Sequence, residues 1–201
     1  MTADDPLAHW IAGDETYPPL IVGRDGTPES SSSLGGVALL PGSFNPLHAG
    51  HRGLAAAAEL QSGLEVVFEL SVANVDKPSL DEPEVHRRLQ QFHGYSRVML
   101  TRAPRFLDKA RAAPSTLLVL GGDTFARLLD SRYYDGEDAM HRALREIAGL
   151  GCRFLVAGRV QGGAFRAMRA DDVPAEFAGL FEPIDEARFR IDISSTELRG
   201  G

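Results

Sequence analysis

Residues 37–51 read VALLPGSFNPLHAGH. Val37 to Leu40 is a short apolar run bounded by Gly35-Gly36 and by Pro41-Gly42, the pattern of a buried strand. His51 to Leu60 is rich in Ala and Leu and predicts a helix. The turn between them carries Gly42 and Gly50, which let backbone come close to a ligand. His48 and His51 are three residues apart where the helix begins, so they lie on one face. A helix N-terminus offers unpaired N–H groups and positive potential to a phosphate. Two imidazoles beside those groups make a compact donor set for an anion. A Gly/Pro turn with two incidental histidines is the plainer reading of His-x-x-His alone. The preceding strand and the run Gly42-Ser43-Phe44-Asn45-Pro46 argue against it.

Working outward, the same alternation repeats. Leu64 to Leu70, Arg97 to Leu100, Thr116 to Leu120 and Arg153 to Ala157 read as strands, with Phe181 to Ile184 a sixth. Glu84 to His93, Arg105 to Ala112, Asp138 to Leu150 and a short Ser194 to Arg199 read as helices, stopped by glycine or proline where these follow. Strands alternating with helices of about ten residues build parallel β-α-β units. Right-handed crossovers then give an α/β fold: an open, doubly wound, mostly parallel sheet, Rossmann-like, of five to six strands. Ligands of such a sheet bind beyond the carboxyl ends of the strands, near the switch in strand order. This domain spans 34–201. Residues 1–33 form an acidic, Pro/Ser-rich N-terminal extension in which Leu7 to Ile11 and Leu20 to Val22 either dock on the domain or remain loop.

The chain has 201 residues, 43% of them apolar and 24% charged, an ordinary globular mix that excludes a mostly disordered chain. Of the net charge of −7, residues 1–33 hold six acids and one base, so the rest is nearly neutral. A nucleic-acid partner calls for a basic face, which this is not. No run approaches the length of a membrane span. The acidic start and the lone Cys152, read as inert packing, favour the cytoplasm. His86, His93 and His141 lie on apparent helices, facing solvent.

His48-Ala49-Gly50-His51, with the residues before it, resembles the phosphate-binding signature of the nucleotidyltransferase superfamily of His-x-Gly-His type. Ile193-Ser194-Ser195-Thr196-Glu197-Leu198-Arg199 resembles that superfamily's second motif, in the right order along the chain. Alone, Ser-Ser-Thr before Glu-Leu-Arg also reads as a helix cap. Between the two, Asn74 to Pro78 with Lys77 resembles a substrate loop. Gly121-Gly122-Asp123-Thr124 resembles the Gly-x-Asp element beside the nucleotide, although Asp123 also suits the cap of a helix starting near Phe125. Phe154 to Arg159 resembles the strand whose Arg lines the adenine pocket. The resemblance covers about Gly35 to Gly201 and runs closest to the adenylyltransferases of nicotinamide and nicotinate mononucleotide and to the cytidylyltransferase-like set. In Gly162 to Asp172 the one aromatic ring is Phe165.

The resemblance implies a transferase of NAD biosynthesis that moves AMP from ATP to a phosphorylated acceptor and releases pyrophosphate. His48, His51 and Arg199 would be catalytic, on the α-, β- and γ-phosphates. Gly42, Ser43, Phe44, Asn45, Gly50, Lys77, Gly121, Asp123, Arg159, Ser194, Ser195 and Thr196 would bind nucleotide, with the backbone N–H groups of Ser43 and Phe44 near the phosphates. Mg²⁺ would bridge phosphate oxygens mostly through water, since no carboxylate cage for a metal is visible. Partners would be ATP or CTP and a small phosphorylated acceptor, with no nucleic acid and no membrane; a homo-oligomer stays open. CTP with another acceptor, a nucleotide-binding module with little turnover, and a hydrolase of nucleotides are the alternatives.

Overall fold

Alternation of strand and helix governs the chain from residue 36 onward. The computed structural model describes residues 6–13, 17–29, 36–73, 78–161, 164–185 and 187–189, with the backbone alone at 159–161 and 164. In chain order the elements begin with α1 (Pro6–Ala12), β1 (Leu20–Val22), β2 (Val37–Pro41), α2 (Ala49–Ser62) and β3 (Glu65–Ser71). There follow α3 (Glu82–Leu89), β4 (Val98–Thr101), α4 (Phe106–Ala112), β5 (Leu117–Leu120) and α5 (Gly122–Leu128). The last are α6 (Glu137–Gly149), β6 (Arg153–Val156), β7 (Arg159–Gln161), β8 (Ala164–Arg166) and β9 (Phe181–Pro183). The expected final helix at Ser194 to Arg199 lies outside the described residues.

The strands form one sheet in the order β1-β4-β3-β2-β5-β6-β9, plus a separate β7-β8 hairpin. Every pairing in the sheet is parallel except that of β1 with β4. β3 and β4 lie on one side of β2 and β5, β6 and β9 on the other, so the order reverses between β2 and β5. That is the switch point, and the 42–51 turn leaves β2 at its carboxyl end. Leu39 pairs with Leu118, and Leu120 with Val156, so β2, β5 and β6 end nearly level. At about 4.8 Å per strand, these three ends fall within about 10 Å of one another.

The period of two sorts the core into two layers. Ala38 and Leu40 of β2, with Val66, Phe68 and Leu70 of β3, face α2 and α3 through Leu54, Ala58, Val85 and Leu89. Val37 and Leu39, with Val67, Leu118 and Leu120, face α4, α5 and α6 through Ala110, Phe125, Leu144 and Ile147. Both faces are covered, which is why the strands read as near-continuous apolar runs.

Among the described residues the main sheet has seven strands, not five to six. Leu20, Ile21 and Val22 pair antiparallel with Leu100, Met99 and Val98. Three residues are too few to show an alternation, and the antiparallel edge has no β-α-β signature. Leu7 and Trp10 of α1 are buried in the same layer as Leu40. Both apolar patches of the N-terminal segment therefore dock. Arg102 holds α1 in place: its Nη2 donates to the carbonyls of Trp10, Ile11 and Gly13 at 2.8, 3.0 and 2.9 Å, and its guanidinium lies 4.2 Å above the Trp10 ring. His141 is only 20% exposed, with Nδ1 2.9 Å from Glu176 and its ring edge-on to Phe177. The 3-10 helix Ala175–Leu180 that covers it has no sequence pattern of its own. Cys152 is buried, as expected.

Candidate active site

The turn after β2 is built around Phe44. Its ring is fully buried and meets Phe68, Phe92 and His51 edge-on at 5.2, 5.2 and 5.1 Å between centroids. Its φ of 45° is in the left-handed region, uncommon for a bulky side chain and held here by packing. Gly42 makes room for it, because a Cβ there would stand 2.6 Å from the Phe44 ring. The Gly42 N–H donates to the Glu69 carbonyl of β3 at 3.0 Å, which continues the sheet one residue past β2. Ser43 is exposed, and Asn45 is half-buried.

His48 caps α2. The Gly50 N–H donates to His48 Nδ1 at 3.1 Å, and the His48 N–H donates to His51 Nδ1 at 3.3 Å. The two side chains thus exchange the roles of a capping box, normally filled by Ser or Thr and Glu. Gly50 is buried under this arrangement. The rings stack at 3.7 Å between centroids and 26° between planes. Since both Nδ1 atoms accept, the proton of each neutral ring sits on Nε2, leaving an N–H donor at the far edge. Desolvation against Phe44, and then the neighbouring His48, hold the His51 pKa at about 4; desolvation also lowers that of His48. Their lowered pKa values keep the pair uncharged at neutral pH, and both rings stand beside the start of α2. The arrangement is preset for an anion.

Three further residues hold this turn and carry no motif. Arg88 donates to the Ser43 carbonyl at 2.7 Å, and Gln91 donates to the Phe44 carbonyl at 2.9 Å while accepting from the Leu47 N–H at 2.7 Å. Arg87 donates to Asn45 Oδ1 at 2.6 Å. Glu84, Arg87, Arg88 and Gln91 stand at spacings of three and four, a shared helical face that the sequence displays. Nothing in the sequence says what that face meets.

On the other side of the switch point, Gly121 caps α5 in extended backbone, and among the described residues no side chain beyond its two chain neighbours comes within 4 Å of where its Cβ would be. The helix begins at Gly122, three residues before the expected start near Phe125, so Asp123 lies in its first turn and is exposed. A cleft of about 220 Å³ opens here, lined by Gly122, Phe125, Val156, Ala157, Met168 and Asp172. Arg159 opens β7 at the rim beyond β6. Phe165 packs on Gly158, where a Cβ would stand 2.3 Å from its ring. Lys77, Ser194, Ser195, Thr196 and Arg199 lie outside the described residues. The structure therefore brings Gly42, Ser43, Phe44, Asn45, His48, Gly50 and His51 together in one turn, and sets Gly121 and Asp123 after a strand next to β2. Among the described residues, no group of three or more His, Cys, Asp or Glu could hold a metal ion, and no helix is long and apolar enough to cross a membrane.

Residues 39–201 match a family model described as cytidylyltransferase-like. A curated relative, described as a probable nicotinate-nucleotide adenylyltransferase of Gloeobacter violaceus, is 28% identical over 172 residues, which cover 79% of this chain and 79% of that protein.

Proposed function

This chain belongs to the cytidylyltransferase-like family and is a nucleotidyltransferase, and from that premise we propose that it transfers AMP from ATP to nicotinate or nicotinamide mononucleotide. The observation that carries this reading is the stacked His48–His51 pair, whose two Nδ1 atoms accept the capping bonds and which stands at the start of α2, at the switch point. The relative described as acting on nicotinate nucleotide supports the choice of acceptor.

In the proposed reaction an acceptor phosphate oxygen attacks the α-phosphorus of ATP. The new P–O bond forms as the bond to the β-phosphate's bridging oxygen breaks, and pyrophosphate leaves with that electron pair. The attacking phosphate is an anion at neutral pH, so no general base is needed. Catalysis then consists of positioning and of stabilising charge on the phosphates. His48 and His51 donate from Nε2 to α- and β-phosphate oxygens, and the N–H groups at the start of α2 add their dipole. Ser194, Ser195, Thr196 and Arg199 take the β- and γ-phosphates in the role the second motif implies, with Lys77, Asp123 and Arg159 as further nucleotide contacts. Among the described residues no group of three or more His, Cys, Asp or Glu could cage Mg²⁺, and in this reading the ion would enter on the phosphates of Mg-ATP. The cleft beside Gly122 and Ala157 is the seat of one of the two ring systems. The family description also names cytidylyl transfer, so CTP is the second donor to try.

His51→Ala tests this reading. The variant should fold, and its pyrophosphate release with Mg-ATP and nicotinate mononucleotide should fall by at least about a hundredfold, the cost of one lost transition-state donor. Near-normal turnover in a folded variant would remove His51 from the chemistry.

A further inference from the structure

We infer that α3 and the 3-10 turn Gln90–Phe92 that follows it form a clamp that sets the donor geometry of the turn after β2, with Arg88 and Gln91 as positioning residues for nucleotidyl transfer. The inference rests on the reading above and adds residues that lie in neither sequence motif. Three of its bonds reach the backbone of the turn and one reaches a side chain. Arg88 Nη1 donates to the Ser43 carbonyl at 2.7 Å, and Gln91 Nε2 to the Phe44 carbonyl at 2.9 Å. Gln91 Oε1 accepts from the Leu47 N–H at 2.7 Å, and Arg87 Nη2 donates to Asn45 Oδ1 at 2.6 Å.

The peptide plane turns these contacts into a consequence. In a trans peptide the carbonyl and the following N–H point in opposite directions. Drawing the Ser43 carbonyl to Arg88 therefore turns the Phe44 N–H away from α3. Drawing the Phe44 carbonyl to Gln91 does the same to the Asn45 N–H. Successive N–H groups turned out around a residue of left-handed conformation make a concavity that suits an anion, and Phe44 has that conformation. Left to itself, a bulky residue would relax out of it. The buried ring fixes one side of Phe44, and Arg88 of α3 and Gln91 of the following 3-10 turn fix the two peptides that flank it.

The clamp is itself braced. Asp81 caps α3 by accepting from the Glu84 N–H at 3.0 Å. Glu84 takes Arg87 at 2.6 Å and Arg88 at 2.7 Å. The Arg88 side chain is only 10% exposed. A guanidinium taken this far out of water is an expensive way to hold a surface turn, which solvent could satisfy. Its placement makes sense where the direction of the carbonyl matters.

Gln91→Leu removes both bonds of the Gln91 side chain to the turn at nearly constant size and is the variant to test. His86→Ala, on α3 but outside the clamp, is the control. With Mg-ATP and nicotinate mononucleotide, Gln91→Leu should fold, lose at least about tenfold in kcat, and keep its KM for ATP within about threefold, because the lost donors act on the reacting phosphates. Without ligand, exchange of the Leu47 amide should quicken by at least about tenfold. His86→Ala should move neither. A folded Gln91→Leu with the kcat of the wild type overturns the clamp, as does a lost kcat with unchanged exchange at 44–47. No pyrophosphate from the wild type with ATP or CTP and any phosphorylated acceptor overturns the transfer reading instead. The Kd for Mg-ATP then takes the place of kcat, a tenfold rise in Gln91→Leu supporting the clamp and an unchanged value overturning it. A wild type that neither turns over nor binds Mg-ATP overturns both.

Discussion

The electrostatics of His51 follow from its burial. Its pKa of about 4 lies below the ordinary imidazole value because its ring is taken out of water and stands beside a second imidazole. Between about pH 6.5 and 4 the unfolded chain therefore binds a proton that the folded chain refuses. The stability this represents is fully present above pH 6.5 and is lost as the pH falls through that window, together with a contribution of the same sign from His48. Thermal midpoints should decline from pH 7 to pH 4, and less steeply in His51→Ala. Imidazole nitrogen resonances should show His51 protonated on Nε2 at pH 7, with no further protonation until below pH 5; titration near pH 6.5 would contradict the desolvated geometry. Gly42 gives a second prediction at this scale. With the Phe44 ring 2.6 Å from a built Cβ and locked by three aromatic neighbours, Gly42→Ala should cost about 1–3 kcal/mol in denaturant unfolding. The spacing of the two histidines could be read from sequence because it is local. The Phe44 wedge could not, because its conformation is set by rings 24 and 48 residues further along, on Phe68 and Phe92.

Among the elements, β3 and α4 share a buried ion pair. Lys109 Nζ donates to both Glu69 carboxylate oxygens, at 3.0 and 2.8 Å, and to the Ala103 carbonyl at 2.7 Å. Thr101 donates to the same carboxylate. The Glu69 backbone carbonyl in turn receives Gly42, so this pair lies one bond from the turn. Removing one partner leaves a charge in the core, and Lys109→Met should destabilise by about 3–5 kcal/mol in urea. Lys109→Met with Glu69→Leu should recover part of that loss; a double variant as unstable as the single would contradict the argument. Elements were legible wherever a period or a stop signal was present. Helix α2 begins at Ala49 rather than His51, and β4 ends at Thr101, shifts of one or two residues. What stayed hidden was non-local. β1 is too short to show alternation, and the contacts that make α3 and the 3-10 turn after it a brace reach across 42 to 47 residues of sequence.

For the whole molecule, topology does what no single element can. Six parallel strands with a reversal between β2 and β5 bring the histidine turn and the Gly121–Asp123 turn to one edge of the sheet. The alternation along the sequence already implied that edge, and the resemblance named the chemistry, which the family match places in the cytidylyltransferase-like nucleotidyltransferases. The acceptor was not legible, because no motif spells it out and the cleft beside α5 is lined by residues as far apart in sequence as Gly122, Val156 and Asp172. The near-neutral body agrees with this picture, since a few aimed donors suffice for a triphosphate where a nucleic acid would require a basic face. The most direct measurement is product stoichiometry: purified protein with Mg-ATP, with and without nicotinate or nicotinamide mononucleotide, following pyrophosphate and dinucleotide together. Nucleotidyl transfer to a pyridine mononucleotide predicts that both products appear in equal amounts and only when the acceptor is present. Pyrophosphate released without acceptor, or bound ATP that stays intact with either mononucleotide, would contradict it.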